Sequence, residues 1–287
     1  MKHQRHMTTF SLILIGDEIL SGKRVDKHLP KTIELLAERG LQLSGAEIVG
    51  DDPVRITAVL RRAFERAALG EVVFCCGGIG ATPDDHTRQC AAAALGRPLR
   101  LHPQAAELIH ERARDMAREK GVVYDPDQPD NVHRLNMGVF PEGAEILPNP
   151  YNKIPGFSIE MPARLPASQP GAVHFMPGFP VMAWPMMDGL LDQKYAHLHA
   201  RGAWGERSII VYGAMEAVLT PLMEAIEAGH PGVKVFSLPS VDHPEHGRHI
   251  ELGVKGEPAR MVPAYEEMLA GLQTLGCRLG PELVRTV

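Results

Sequence analysis

No apolar run in this 287-residue chain approaches the roughly 18 residues that suggest a membrane span, and the opening MKHQRHMTTF lacks the apolar core of a secretory signal. A cytoplasmic location with no membrane partner is therefore expected. Long basic runs are missing as well. The formal charge of −5 does not favour general adhesion to nucleic acid or to an anionic membrane, so a nucleic-acid partner is not expected. Cysteine is scarce, and Cys75, Cys76, Cys90 and Cys277 show neither metal-ligand nor redox spacing; they read as reduced core residues. Ser237, in FSLPS, lacks the flanking glycines of a nucleophile elbow, and covalent catalysis is not expected. No glycine loop ends in Lys-Ser/Thr, which argues against a standard ATPase.

What is present is enough for a full core. An apolar content of 44% over this length suits one large domain plus a small one, and 28 glycines with 24 prolines mark many defined turns. The first half alternates strand and helix signals: FSLILIG at 10–16, a helix near 28–39, AEIVG at 46–50, a helix from about 53 to 69, then VVFCC at 72–76. Ile56, Val59, Leu60, Ala63, Phe64 and Ala67 share one helical face, with Asp52 as cap and Pro53 opening the helix. Helix signals continue over 83–95 and 104–119. Such crossovers build a mostly parallel sheet whose ligands sit beyond the carboxyl ends of the strands. Residues 121–155 read as loop-rich, 157–176 as a hairpin whose Pro-rich excursion at 162–170 is a candidate lid, and MPGFP at 176–180 as a turn opening a helix that Pro185 should kink or shorten. RGAWGER marks a domain boundary. Beyond it the order strand, helix, strand, strand, helix predicts a small α+β unit.

The most informative stretch is GGIGATPDDHT, residues 77–87, directly after the apolar run Val72–Cys76. Gly77, Gly78 and Gly80 allow a sharp turn and close approach to a ligand. Thr82 reads as an N-cap, Pro83 as the first helical residue, and Asp84 and Asp85 as first-turn carboxylates. A well-capped helix alone would also explain the pattern. Helix-terminal amides attract an anion, whereas two carboxylates repel it unless a cation intervenes, and Mg²⁺ bound through one or two carboxylates plus phosphate oxygens resolves the conflict. In a parallel sheet Asp17, Asp51 and Asp85 converge on one rim, with Glu18 beside Asp17; Asp52 is explained as a helix cap. His243, His246 and His249 recur every third residue, but Pro244 and Gly247 make this a turn in which solvated histidines are ordinary.

The segments GDEILSG, VGDDPVRI, GGIGATPDDHT and MPGFP together resemble the molybdopterin-binding domain of molybdenum-cofactor biosynthesis proteins, most closely the N-terminal part of the CinA (competence/damage-inducible) family. YGAMEAVLTP through HIELGVKGE resembles the small domain that follows in stand-alone members. The resemblance implies a three-layer, doubly wound, mostly parallel α/β fold over residues 1–203 and a small α+β domain over 204–287. It implies a pterin or nucleotide pyrophosphate ligand, with Gly77, Gly78, Gly80, Thr82 and Thr87 near phosphate, Asp17 and Glu18 on the rim, and Asp51, Asp84 and Asp85 near metal. Asn149, Gly156, Pro177 and Gly178 join the ligand-binding set, and Asp51 and Asp85 the catalytic one.

The activities it implies are Mg²⁺-dependent cleavage of ADP-ribose or a similar pyrophosphate, noncatalytic pterin or nucleotide sensing, or adenylylation of molybdopterin. Family habit suggests a homodimer or homotrimer. The pyridine-nucleotide amidase of larger CinA proteins is not expected in a chain of this length. Two segments depart from the pattern: Asp26, Lys27 and His28 stand where the family usually has Asp-Thr-Asn, and NPYNKIPG keeps only Asn149, Pro155 and Gly156 of its loop.

Overall fold

The computed structural model describes residues 8–164, 169–200 and 204–286. The middle of the candidate lid, 165–168, and the boundary residues 201–203 lie outside these. Two compact units are present, residues 1–36 with 42–198 and residues 37–41 with 199–287.

The first unit runs β1 (Phe10–Ile15), the short helix α1 (Asp17–Leu20), α2 (His28–Ala37), β2 (Leu43–Val49), α3 (Pro53–Ala67), β3 (Val72–Cys76) and α4 (Thr87–Leu95). It continues through β4 (Leu99–Leu101), α5 (Pro103–Glu119), α6 (Pro129–Arg134), β5 (Val139–Pro141), β6 (Glu145–Leu147), β7 (Gly156–Met161), β8 (Gly171–Met176) and α7 (Pro180–Gln193). Six strands form one sheet in the order β2-β1-β3-β8-β7-β6. The first four are parallel, and β7 and β6 extend the edge antiparallel.

Every residue of β1, β3 and β8 is buried. That follows from their unbroken apolar runs, which need cover on both faces of the sheet. Alternation along the strands divides the cover. Ile13, Val73, Cys75 and Phe175 join Ile56, Leu60 and Phe64 of α3 and Ala91 of α4 in one core. Phe10, Leu12 and Phe74 point the other way; there Phe10 lies edge-on to Tyr195, just past α7, which packs on β8. The result is the three-layer, mostly parallel α/β arrangement.

Helix α3 starts where the sequence places it. The Asp52 carboxylate accepts the amides of Val54 at 2.8 Å and Arg55 at 3.0 Å, two donors with no partner inside the helix. Asp52→Ala should therefore cost about 1 kcal/mol, read as a shifted urea midpoint at unchanged slope.

Helix α4 is a correction. It begins at Thr87 and not at Pro83, because the Asp85 side chain folds back onto the Thr82 amide at 2.8 Å and the Thr82 hydroxyl, closing residues 82–85 as a turn. Thr82 is thus the start of that turn and not a helix cap. The loop-rich stretch 121–155 contains α6, β5 and β6, and α7 runs through Pro185 without being shortened.

The second unit is a four-stranded antiparallel sheet, ordered β10 (Lys234–His243), β11 (Gly247–Gly256), β9 (Gly205–Tyr212), β12 (Arg278–Thr286). Helices α8 (Glu216–Gly229) and α9 (Pro258–Thr274) bury Leu219, Ile226, Tyr265 and Met268 against Val211, Leu252 and Val254. The sequence reading omits only β12, in which Gly280 and Pro281 interrupt the pattern and the pairing slips between Leu279 and Glu282. An edge strand tolerates such a bulge.

Candidate functional site

The carboxyl ends of the four parallel strands meet at one rim. Gly16 follows β1, Asp51 follows β2, Gly77–Gly80 follow β3 and Pro177–Phe179 follow β8, and all of them line a cleft of about 380 Å³. Backbone bonds tie the rim together: the Gly16 amide donates to Val49 O and the Gly77 amide to Met176 O, each at 3.0 Å. Gly77 has φ 111°, and a Cβ there would sit 2.1 Å from Ile15 O; Gly78 has φ 66°, and a Cβ would meet the Thr87 hydroxyl at 2.3 Å. These glycines let two strand ends approach each other. The amides of Gly78, Ile79 and Gly80 donate to no described protein acceptor, and all three residues line the cleft.

Acidic groups surround those donors. Asp51, Glu18, Asp84 and Asp85 line the cleft. Asp17 braces the rim: its amide donates to the Asp51 carboxylate at 2.8 Å, and the Asp51 amide donates to the Asp17 carboxylate at 3.1 Å. Burial pushes the Asp51 carboxyl above its usual range, the Asp17 amide offsets part of the shift, and the charges of Asp17, Glu18 and Asp84 push it further up. Asp85 spends one oxygen, Oδ2, on Thr82, and its other oxygen has no protein partner among the described residues. Among the described residues no three His, Cys, Asp or Glu side chains are grouped so as to hold a metal ion unaided. Crowded carboxylates beside free amides suit a cation whose coordination is completed by ligand oxygens.

The other sequence-derived residues divide in two. Gly77, Gly78, Gly80, Thr82, Pro177 and Gly178 line the cleft, whereas Asp17, Thr87, Asn149 and Gly156 do not. Thr87 is buried and gives its hydroxyl to Gly77 O at 2.9 Å, locking the glycine turn onto α4. Asn149 shapes the 149–154 loop, donating to Ile154 O at 2.9 Å and accepting from the Tyr151 amide at 3.0 Å. Gly156 serves the sheet, since a Cβ there would lie 2.2 Å from Phe175 O.

Positions that depart from the family pattern do structural work here. Asp26 accepts the amides of His28 and Leu29 at the start of α2, and the buried His28 ring donates from Nε2 to Gly178 O at 3.0 Å. Lys153 adopts φ 66° and turns its ammonium to Glu111 and Asp115 on α5. Cleft residues that the sequence reading did not single out include Arg24, Met137, Asn152, Phe179 and Met182. Phe179 lies inside the MPGFP signal, while Met137 comes from a segment with no periodicity.

The three histidines of the β10–β11 turn cluster, with ring centroids 5.0, 5.3 and 5.6 Å apart. His243 Nδ1 accepts the amides of Glu245 and His246, so that nitrogen holds the turn and is not free for a metal.

With this geometry in place, comparison with known proteins is informative. Residues 11–197 match the family described as probable molybdopterin binding domain. A CinA-like protein of Anaeromyxobacter dehalogenans (strain 2CP-C) is 32% identical over 220 residues, which are 77% of this chain and 47% of that protein. A protein of Aeropyrum pernix is 32% identical over 79% of this chain and 78% of its own length. The chain thus spans about half the length of its first CinA-like relative. The crystal structure of CinA from Thermoplasma acidophilum aligns over 67% of this chain and 98% of its own at 26% identity and a TM-score of 0.49. No described helix is long and apolar enough to cross a membrane. A match over well more than half of the chain, spanning the glycine turn and the acidic rim, makes it a member of the molybdopterin-binding-domain family.

Proposed function

We propose that the cleft grips the pyrophosphate of a nucleotide and, with Mg²⁺ or another divalent cation, hydrolyses the phosphoanhydride of ADP-ribose or a similar nucleotide. One observation carries this reading: three unclaimed amides and four carboxylates share one rim, an arrangement that favours a phosphate only when a cation accompanies it. The amides of Gly78, Ile79 and Gly80 receive phosphoryl oxygens and need no reorganisation as charge builds there. Asp51 and Asp84 hold the cation, together with the unpartnered oxygen of Asp85. When bound, the ion neutralises phosphoryl charge and acidifies water.

In the cleavage, water forms a bond to one phosphorus while the bridging oxygen leaves with the other phosphate. Asp51, holding the cation, orients the water, whose proton passes to the solvent. AMP and ribose 5-phosphate result. The oxygen of Asp85 that is bonded to Thr82 holds the 80–85 loop in the shape that presents its amides.

The test is product analysis after incubating purified protein with ADP-ribose, with and without Mg²⁺. AMP and ribose 5-phosphate in equal amounts, dependent on Mg²⁺, support the reading. Tight nucleotide or pterin binding without turnover would point to a sensor, and AMP transfer from ATP onto molybdopterin in a parallel incubation to an adenylyltransferase; either overturns it.

The shifted Asp51 carboxyl adds a pH signature. Protons and the cation compete for it, so cation affinity should rise with pH through a midpoint above the ordinary value of about 3.9. Asp51→Asn should lower that affinity about tenfold, equivalent to about 1.4 kcal/mol. It should also flatten the pH dependence, as measured by calorimetric Mg²⁺ titration from pH 4 to 7. A pH dependence unchanged in the variant would remove Asp51 from the cation site.

A further inference from the structure

Behind the 80–85 loop lies a second cavity of about 310 Å³, lined by Ala81, Thr82, Arg88, Gln89, Asn136 and the flanking Leu99 and Val139. Ala81 and Thr82 line the main cleft too, so the loop is a partition with a space on each side.

Arg88, in the first turn of α4, is only 4% exposed. Its guanidinium donates one hydrogen bond, from Nη2 to Gly80 O, and its buried Nε has no partner. No ion pair joins it to a described carboxylate. Asp85 acts on it only through space, with one of its oxygens already committed to Thr82. A guanidinium taken out of water with a single carbonyl acceptor and only the more distant Asp85 charge is incompletely compensated, and buried charges are normally paired. Its five donors form a fork that matches a tetrahedral oxyanion. Around it the cavity offers one neutral donor with an N–H to spare, the Asn136 amide, while the Thr82 hydroxyl is committed to Asp85 and the Gln89 amide to the carbonyls of Asp85 and His86.

We propose that the Arg88 cavity is a second anion site, which takes a small phosphate-type oxyanion on the far side of the loop from the main cleft. Asn136 holds the oxyanion alongside Arg88, and Gln89, in the same wall, senses its presence. Because Arg88 also holds Gly80 O, an occupied site stiffens the loop that presents the cleft's amides.

Two side-chain amides belong to this cavity and not to the cleft, Gln89 and Asn136, whereas Asn152 lines the cleft alone. Titrating the full-length protein with inorganic phosphate, followed by ¹H–¹⁵N spectra of side-chain amides, separates the two places. Saturable shifts of Gln89 and Asn136 are expected in the native protein. They should weaken at least tenfold in Arg88→Gln, partly recover in Arg88→Lys, and persist in Asp51→Asn. Asn136→Ala should weaken the Gln89 response several-fold, which keeps the test sound if Arg88→Gln does not fold. Ribose 5-phosphate in place of phosphate tells a free anion from a phosphate ester: the proposal expects the free anion to shift both amides. Phosphate shifts confined to Asn152, or Gln89 and Asn136 shifts that survive both cavity variants, overturn the site.

Discussion

Gly77→Ala should lose about 2–5 kcal/mol of stability, the sum of an unfavourable positive φ and an overpacked contact. Both costs are visible at one position: φ is 111°, and a Cβ would lie 2.1 Å from the carbonyl oxygen of Ile15, an atom fixed in the central strand β1. The backbone cannot relax cheaply, because the Gly77 amide is bonded to Met176 O and its carbonyl accepts the Thr87 hydroxyl. Gly178 supplies the control. A Cβ there would meet the Gly77 Cα at 3.4 Å and the Gly77 N at 3.9 Å, ordinary contact distances, and its φ is not positive. Gly178→Ala should stay within about 0.5 kcal/mol of the parent. Urea unfolding of the two variants side by side decides the matter. Equal midpoints would show that the glycine turn is not needed for close approach of the strand ends.

Much of this was legible from sequence because short-range rules sufficed. Val72–Cys76 is an unbroken apolar run, and such a run inside an alternating strand-helix series has few places to go except the middle of a parallel sheet. The Asp52-Pro53 start of α3 is likewise local chemistry. Once the sheet is parallel, its carboxyl rim collects Glu18, Asp51, the glycine turn and Gly178 from four separated segments.

Failures of the reading have equally physical causes. Pro83 looks like a first helical residue, but Asp85 finds a better acceptor role on Thr82 than it would in a helical first turn, and the helix start moves to Thr87. Local propensity lost there to a side-chain contact that spacing alone does not announce. Asn149 and Gly156 are polar and glycine positions near the rim, yet one shapes its own loop and the other makes room for Phe175 O. A ligand contact and a packing requirement leave the same mark in sequence. Arg88 was invisible for a different reason: one arginine in a helix normally faces water, and only the fold shows it buried without an ion pair.

Stability should fall as pH drops below about 6.5, by about 1.4 kcal/mol for each unit, on account of His174. The ring is fully buried on β8, between the Ser158 hydroxyl at 2.7 Å from Nδ1 and the Tyr195 hydroxyl at 2.7 Å from Nε2. Burial depresses its pKa to about 3, with a smaller contribution from the nearby Lys194 charge. Tyr195, itself pushed up by burial, keeps its proton and stays available as a partner. In the unfolded chain the imidazole titrates near 6.5, so between the two values the unfolded state binds a proton that the native state refuses. The sign follows: the neutral ring's contribution is complete above about pH 6.5 and drains away as pH falls toward 3, reaching about 5 kcal/mol in total. Carboxylates add their own slope below about pH 5, so the window from 6.5 to 5 is the clean one. There, urea unfolding of the parent protein should lose about 2 kcal/mol. His174→Gln can still hydrogen-bond but cannot titrate; it should be less stable at pH 7 and nearly flat across the same window. A variant that keeps the parent's slope would assign that proton to some other group and leave the Ser158–His174–Tyr195 chain as packing alone.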